Sequence, residues 1–100
     1  MKPTFLELRH LRTLLALKET GSVSMAAKRV YLTQSALSHQ IKLMEEQFGL
    51  PLFERKSNPL RFTAAGDRLI RLANEILPKV VDAERAIPFE SVPFQSIPFV

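Results

Sequence analysis

The sequence predicts a mainly α-helical fold with one short β-hairpin and one long helix towards the C-terminus. Three observations support that. Apolar residues recur at intervals of three and four in four separate stretches. Glycine, serine and threonine stand where those stretches begin and end. Between the third and fourth lie two short β-prone runs, Leu52-Phe53-Glu54 and Leu60-Arg61-Phe62, joined by the turn-rich Lys56-Ser57-Asn58-Pro59.

In the first stretch, FLELRHLRTLLALKETG, Leu8, Leu11, Leu14, Leu15 and Leu17 fall at helical spacing, and Gly21 ends the helix. The apolar positions cover more than one stripe, so this helix is expected to pack on two neighbours. The second stretch, SVSMAAKRVY, is a short helix that Ser22 or Ser24 can cap by accepting a backbone N–H. Ala26, Ala27 and Val30 face inward, and the adjacent alanines permit close approach of another helix. Leu32 lies in a tight connection, and Thr33 caps the third helix. There Leu37, Ile41, Met44 and Phe48 lie within about 60° of arc. Ser35, Ser38, His39, Lys42 and Glu46 occupy the opposite side, with Gln34 between the two, and Gly49 ends the helix.

Thr63 caps the fourth helix, expected over 64–87 and roughly 36 Å long. Leu69, Ala73, Ile76, Val80, Ala83 and Ile87 are spaced 4, 3, 4, 3, 4, the seam of a coiled coil, with Ile70, Leu77 and Val81 as a flanking row. A core this small cannot cover so much apolar surface, so the helix is expected to pair with a second copy of itself. Pro78 removes the bond to the carbonyl of Asn74, and a kink is expected there. Beyond it, PFESVPFQSIPFV repeats Pro-Phe every five residues. Prolines forbid a helix, and three exposed phenylalanines suit a linker poorly. Residues 88–100 are therefore expected to be a disordered spacer, or a tail foreign to the native protein, rather than a binding motif.

Composition narrows the function. One hundred residues make one small domain. The absence of cysteine excludes disulfides, thiolate zinc sites and a cysteine nucleophile. No apolar run approaches the roughly 18 residues of a membrane span, and the N-terminus carries no apolar signal segment, so the expected location is cytoplasmic. Net charge is +4 with a pI near 9.9. Arg55, Lys56, Arg61, Arg68 and Arg71 fall within residues 55–71, where Asp67 is the only acid. Such a basic balance points towards nucleic acid.

Two short helices joined by a tight turn, the second with a polar N-terminal half, form a helix-turn-helix. The polar face of that second helix explains itself if it enters the major groove of B-DNA, where base edges present donors and acceptors. Glutamine can bond adenine bidentately, serine can bond bases or phosphates, lysine suits guanine or phosphate, and His39 can donate to guanine N7. Long acidic side chains would be repelled there, and only Glu46, at the far end, departs from the pattern. Thr33 and the open amides behind it suit a phosphate, and the basic hairpin can reach the backbone or minor groove. The rival chemistries fit poorly. His10, the only other histidine, lies in another helix, with no carboxylate at ligand spacing, so a metal site is not expected. Ser35 or Ser38 beside His39 on one helix is badly aimed for a nucleophile–base pair, and no glycine-rich turn presents a serine. Neither an enzyme nor a cofactor is expected.

The arrangement resembles a known family. The residues that carry the likeness are Leu8 and Leu11, then GSVSMAAKRVYLTQSALSHQIKLMEEQFGLPLFER, then LRFTAAG. Alanines at 26 and 27, TQSALS at 33–38, LFER at 52–55 and TAAG at 63–66 fall on the pattern of the DNA-binding domain of LysR-type transcriptional regulators. Residues 5–87 share the likeness, and TQSALSHQ and RKSNPLRFT are most similar to the branch that regulates methionine-pathway genes. The resemblance implies a winged helix-turn-helix over 1–63 (three helices plus the hairpin wing) and a linker helix for dimerisation over 64–87. It implies a dimer on an interrupted palindrome of double-stranded DNA near promoters, and RNA polymerase as a partner of the full-length regulator. Carried onto this sequence, Gln34, Ser35, Ser38, His39 and Lys42 are the recognition-helix residues. Thr33 is a phosphate contact, and Arg55, Lys56 and Arg61 lie in or beside the wing. There are departures. Most members carry proline where Ser35 stands and arginine where His39 stands, and many carry arginine near Asn58. Family members also continue into an effector-binding domain; without one, the expectation is that this chain answers to no metabolite. The alternative from another class is a helical protein-interaction module that does not bind DNA specifically.

Overall fold

The computed structural model describes residues 4–54 and 59–87. Arg55, Lys56, most of the turn between the two β-prone runs, and the Pro-Phe tail lie outside the described residues. The elements are α1 (Leu8–Thr20), α2 (Val23–Arg29), α3 (Gln34–Phe48) and α4 (Ala64–Ala86).

Each helix begins and ends for a local chemical reason. Ser22 Oγ accepts the Met25 N–H at 3.3 Å, which selects it over Ser24 as the cap of α2. Thr33 Oγ1 accepts the Ala36 N–H at 3.0 Å, and Thr63 Oγ1 accepts the Gly66 N–H at 3.2 Å. Each occupies a donor that the helix itself leaves orphaned. Gly21 (φ 67°) and Gly49 (φ 69°) end α1 and α3 in the left-handed conformation, at little cost to a residue without Cβ. The start of α1 was not legible in the sequence: the Glu7 N–H donates to Nδ1 of His10 at 3.0 Å, so an imidazole stands where a capping box places Glu or Gln.

α1 is the centre of the fold, packed against α2 on one side and α4 on the other, while α2 also packs on α3. Leu14, Leu17, Leu37, Met44 and Leu52 are wholly buried, and Ala26 and Ala27 let α2 approach closely. Leu8, expected in the core, lies at the surface, and Leu15 is half-buried. Burial is instead extended to His10 and Thr13.

The expected hairpin reduces, among the described residues, to a single antiparallel bridge between Phe53 and Phe62. Glu54 N–H donates to the Arg61 carbonyl at 2.8 Å, and Thr63 N–H to the Leu52 carbonyl at 3.0 Å. Pro51 and Pro59 have no N–H to offer a ladder, which keeps both arms short. Edge-on contact between Phe53 and Phe62, with centroids 6.3 Å apart, closes the base of the wing.

Three contacts fix that base to the helices around it. The Glu45 carboxylate accepts the Leu52 N–H at 2.8 Å. Thr63 Oγ1 donates to the Pro51 carbonyl at 2.7 Å. A Cβ on Gly66 would lie 2.0 Å from the Leu52 carbonyl oxygen, so only glycine lets the first turn of α4 sit directly on the wing. α3, the base of the wing and α4 therefore hold fixed relative positions.

Candidate nucleic-acid interface

α3 divides cleanly. Leu37, Ile41 and Met44 are buried in the core, while Gln34, Ser35, Ser38, His39 and Lys42 are all exposed on the other side. None of these five takes part in an ion pair among the described residues. Phe48, read as the last member of the apolar stripe, remains 39% exposed, with its ring edge-on to Phe5 at 6.3 Å.

The turn leading into α3 is strained at one residue. Tyr31 adopts φ 59°, the left-handed region that costs a residue with a Cβ about 1–2 kcal/mol. Two backbone bonds hold it there: Tyr31 N–H to the Lys28 carbonyl at 3.3 Å and Leu32 N–H to the Ala27 carbonyl at 2.9 Å. The second brings the end of α2 onto the start of α3 and fixes the angle between them. Nothing in the sequence signalled this position, since tyrosine is not a turn residue.

Beside α3 lies a cavity of about 260 Å³ lined by Phe5, His10, His39 and Gln40. His10 is buried and stacked under Phe5, with centroids 5.0 Å apart. Burial holds its pKa below the usual histidine value; the nearby Glu7 carboxylate raises it in part, and Arg9 lowers it. The Gln40 side-chain carbonyl oxygen is buried without a hydrogen-bond partner among the described residues. His10 thus works in the architecture under α3, whereas His39 stands on the outer surface.

Arg61 is exposed at the base of the wing, on the arm whose carbonyl bonds Glu54. Arg55 and Lys56 lie outside the described residues.

On α4 the seam read from the sequence divides into two faces. Ala73 is fully buried against α1 together with Ile70, which removes Ala73 from any surface. Leu69, Ile76 and Val80 are half-buried, and Ala83 and Ile87 are exposed. At 100° per residue Leu72, half-buried as well, falls in line with Leu69 and Ile76. It is the member of the outer stripe that the heptad reading missed. Α4 runs unbroken through Pro78, whose ring lies at the exposed surface, and Ile87 already leaves the helical conformation.

Residues 8–67 match the family described as bacterial regulatory helix-turn-helix protein, lysR family. The chain belongs to this family. It is 89% identical over 85 residues to the HTH-type transcriptional regulator MetR of Haemophilus influenzae, covering 85% of this chain and 28% of that protein. To MetR of Escherichia coli K12 it is 49% identical over 81 residues, covering 81% and 26%. The chain thus spans about a quarter of the length of these relatives. Among solved structures it resembles the BenM DNA-binding domain in complex with benA site 1 DNA. The TM-score is 0.74 at 36% identity, covering 80% of this chain and 90% of that one. DarR of Vibrio fischeri, a family member solved in complex with DNA, matches with a TM-score of 0.73 at 28% identity, over 82% and 28% of the two chains. The LysR-family chain described here is accordingly a winged helix-turn-helix with a long helix attached.

Proposed function

We propose that this domain binds double-stranded DNA sequence-specifically, as the reading head of a transcriptional regulator of methionine-pathway genes, and carries out no catalysis. The observation that carries the proposal is the outer face of α3. It is a rigid, doubly capped helix whose exposed side chains are short hydrogen-bonding groups and one lysine, suited to base edges in the major groove. Gln34, Ser35, Ser38 and His39 read bases; Lys42 reads guanine or grips phosphate. Thr33, with the first amides of α3, sits on a phosphate, and Arg55, Lys56 and Arg61 hold the backbone beside the wing. Two copies pair through α4 and so place two recognition helices on the halves of an interrupted palindrome. Of the residues read as a seam, Leu69, Ile76, Val80, Ala83 and Ile87 serve this pairing. Contact with RNA polymerase belongs to the full-length regulator.

The uncovered apolar stripe on α4 favours one other reading, a helical interaction module without specific DNA binding. Titration with salt separates the two. DNA sites selected from a random pool should bind far better than unselected DNA, and both affinities should fall log-linearly with salt as counterions are released. A chain that self-associates yet prefers no DNA sequence at any salt concentration would establish the module instead.

A further inference from the structure

In the turn between α2 and α3, Tyr31 combines two features that nothing inside the domain explains. Its backbone is left-handed at φ 59°, and among the described residues no other residue with a side chain has a positive φ. Its side chain is 95% exposed. Among the described residues its ring stacks on no other ring, and its hydroxyl makes no hydrogen bond. Glycine or asparagine would adopt this backbone at lower cost, and a ring left in water gains nothing from burial. The domain thus carries strain at a side chain that its own fold does not use. Strain of this kind gathers at ligand clamps, where it is held for a contact outside the chain. We propose that Tyr31 is a DNA-backbone contact, its hydroxyl donating to a phosphate oxygen together with the Lys28 ammonium. The proposal rests on the DNA-binding reading above and adds a grip at the end of α3 opposite the wing.

Position and charge both support it. The Tyr31 N–H donates to the Lys28 carbonyl at 3.3 Å, which ties its backbone to the last turn of α2. Leu32, the next residue, packs against the core, while Tyr31 faces outward. Thr33 then caps α3, and two residues of chain span at most about 7 Å. Lys28, Tyr31, Thr33, Gln34 and Ser35 are all exposed, and none is in an ion pair among the described residues. The sequence holds no acid between Glu19 and Glu45, so a phosphate lying along this turn meets no carboxylate from either helix before that point.

The two side chains contribute differently. A phenol donates one O–H and brings no charge, so its bond to phosphate displaces no counterion. Lysine replaces a condensed cation, and its contribution falls as salt rises. Neither contact reads a base edge; both fix the position and register of α3 on the duplex. The wing base follows the other end of α3, so the backbone is held at both ends of the reading helix.

Tyr31 is the chain's only tyrosine, and there is no tryptophan, so a single probe reports on it. With fluorotyrosine incorporated, the one fluorine resonance should shift on adding the selected duplex and become shielded from a paramagnetic agent in the solvent. Tyr31→Phe should weaken binding to selected and unselected DNA alike, roughly fivefold, with the salt slope unchanged. Lys28→Ala should reduce that slope by about one. Tyr31→Asn should move two measurements in opposite directions: a higher urea midpoint as the strain is relieved, and roughly tenfold weaker DNA binding. A fluorine signal that stays unshifted and accessible, or Tyr31 variants that bind as tightly as the wild type, would overturn the contact while the DNA-binding reading stands. A Tyr31→Asn chain that loses stability and affinity together would overturn it too, by assigning the ring to the turn itself. A wild type that prefers no DNA sequence at any salt concentration would overturn the reading and the contact with it.

Discussion

α3 and α4 are built on one plan and differ in what they show to the outside. Each buries a stripe in the same core, Leu37, Ile41 and Met44 from α3, Ile70 and Ala73 from α4. Outward, α3 presents Gln34, Ser35, Ser38, His39 and Lys42, whereas α4 presents Leu69, Leu72, Ile76 and Ile87. The first face already satisfies water, so its unusual feature is chemical: short groups with defined donors and acceptors in place of long, mobile charges. The second face is unfavourable in water, and about 25 cal/mol is gained per Å² of it covered. A polar face that is too short and an apolar face that is too large both mark a missing partner. On the function proposed above, the partner is base edges for α3 and another helix for α4.

The sharpest way to break the comparison is to turn the α4 face into the α3 kind. Ile76→Asp with Val80→Asp would bring four carboxylates to a two-fold interface, each costing several kcal/mol if buried unpaired. The chain should then sediment as a monomer while keeping its helical circular dichroism. Next in size is the joint between the two faces. Gly66→Val would drive its side chain into the Leu52 carbonyl and should destabilise the domain by about 3 kcal/mol, read as a lower midpoint in urea. If the melt is unchanged, the first turn of α4 does not sit on the wing as described. Smaller again is the loss at a single base contact. Gln34→Ala or Ser38→Ala should reduce discrimination between selected and random DNA by roughly 1–3 kcal/mol, with nonspecific affinity nearly intact. Equal loss on both DNAs would assign those side chains to the backbone.

Much of this was legible in the sequence because it is local. Thr33, Thr63, Gly21 and Gly49 act where they stand, through bonds to residues three or four away. The division of α3 into two faces follows from period alone. What was not legible depended on distance. On α4 the inner and outer stripes lie so close around the axis that a heptad pattern draws one line through both. That line took Ala73 from the inner face and passed over Leu72 on the outer one; only the position of α1 separates them. At the hairpin, whose connecting residues lie outside the described ones, two prolines and close packing on α4 keep the described pairing short, around the bridge between Phe53 and Phe62. The burial of His10 was not legible from the spacing of α1. Its burial follows from Phe5, which lies before the helix and folds back over the ring.

His10 also yields the smallest and most specific prediction. Its Nδ1 accepts the Glu7 N–H that starts α1, which requires the neutral ring with its proton on Nε2. Protonation would place a second N–H where an acceptor is needed and would charge a buried group. Burial accordingly lowers its pKa in the folded chain, against an ordinary value of 6.5 for the unfolded one. The sign follows: above 6.5 both states are neutral and the contribution to stability is fully present. As pH falls below 6.5 the unfolded chain takes up a proton first, and stability declines through the folded-state pKa. Glu7, with its carboxylate 3.7 Å from Nε2, moderates the decline, because it favours the charged ring. His10→Gln removes this titration while leaving a side chain able to accept the same N–H. Urea melts of the two chains across this range should therefore diverge, with the wild type losing more stability towards acid. Parallel pH profiles would show that the neutral ring is not what holds the start of α1 beneath α3.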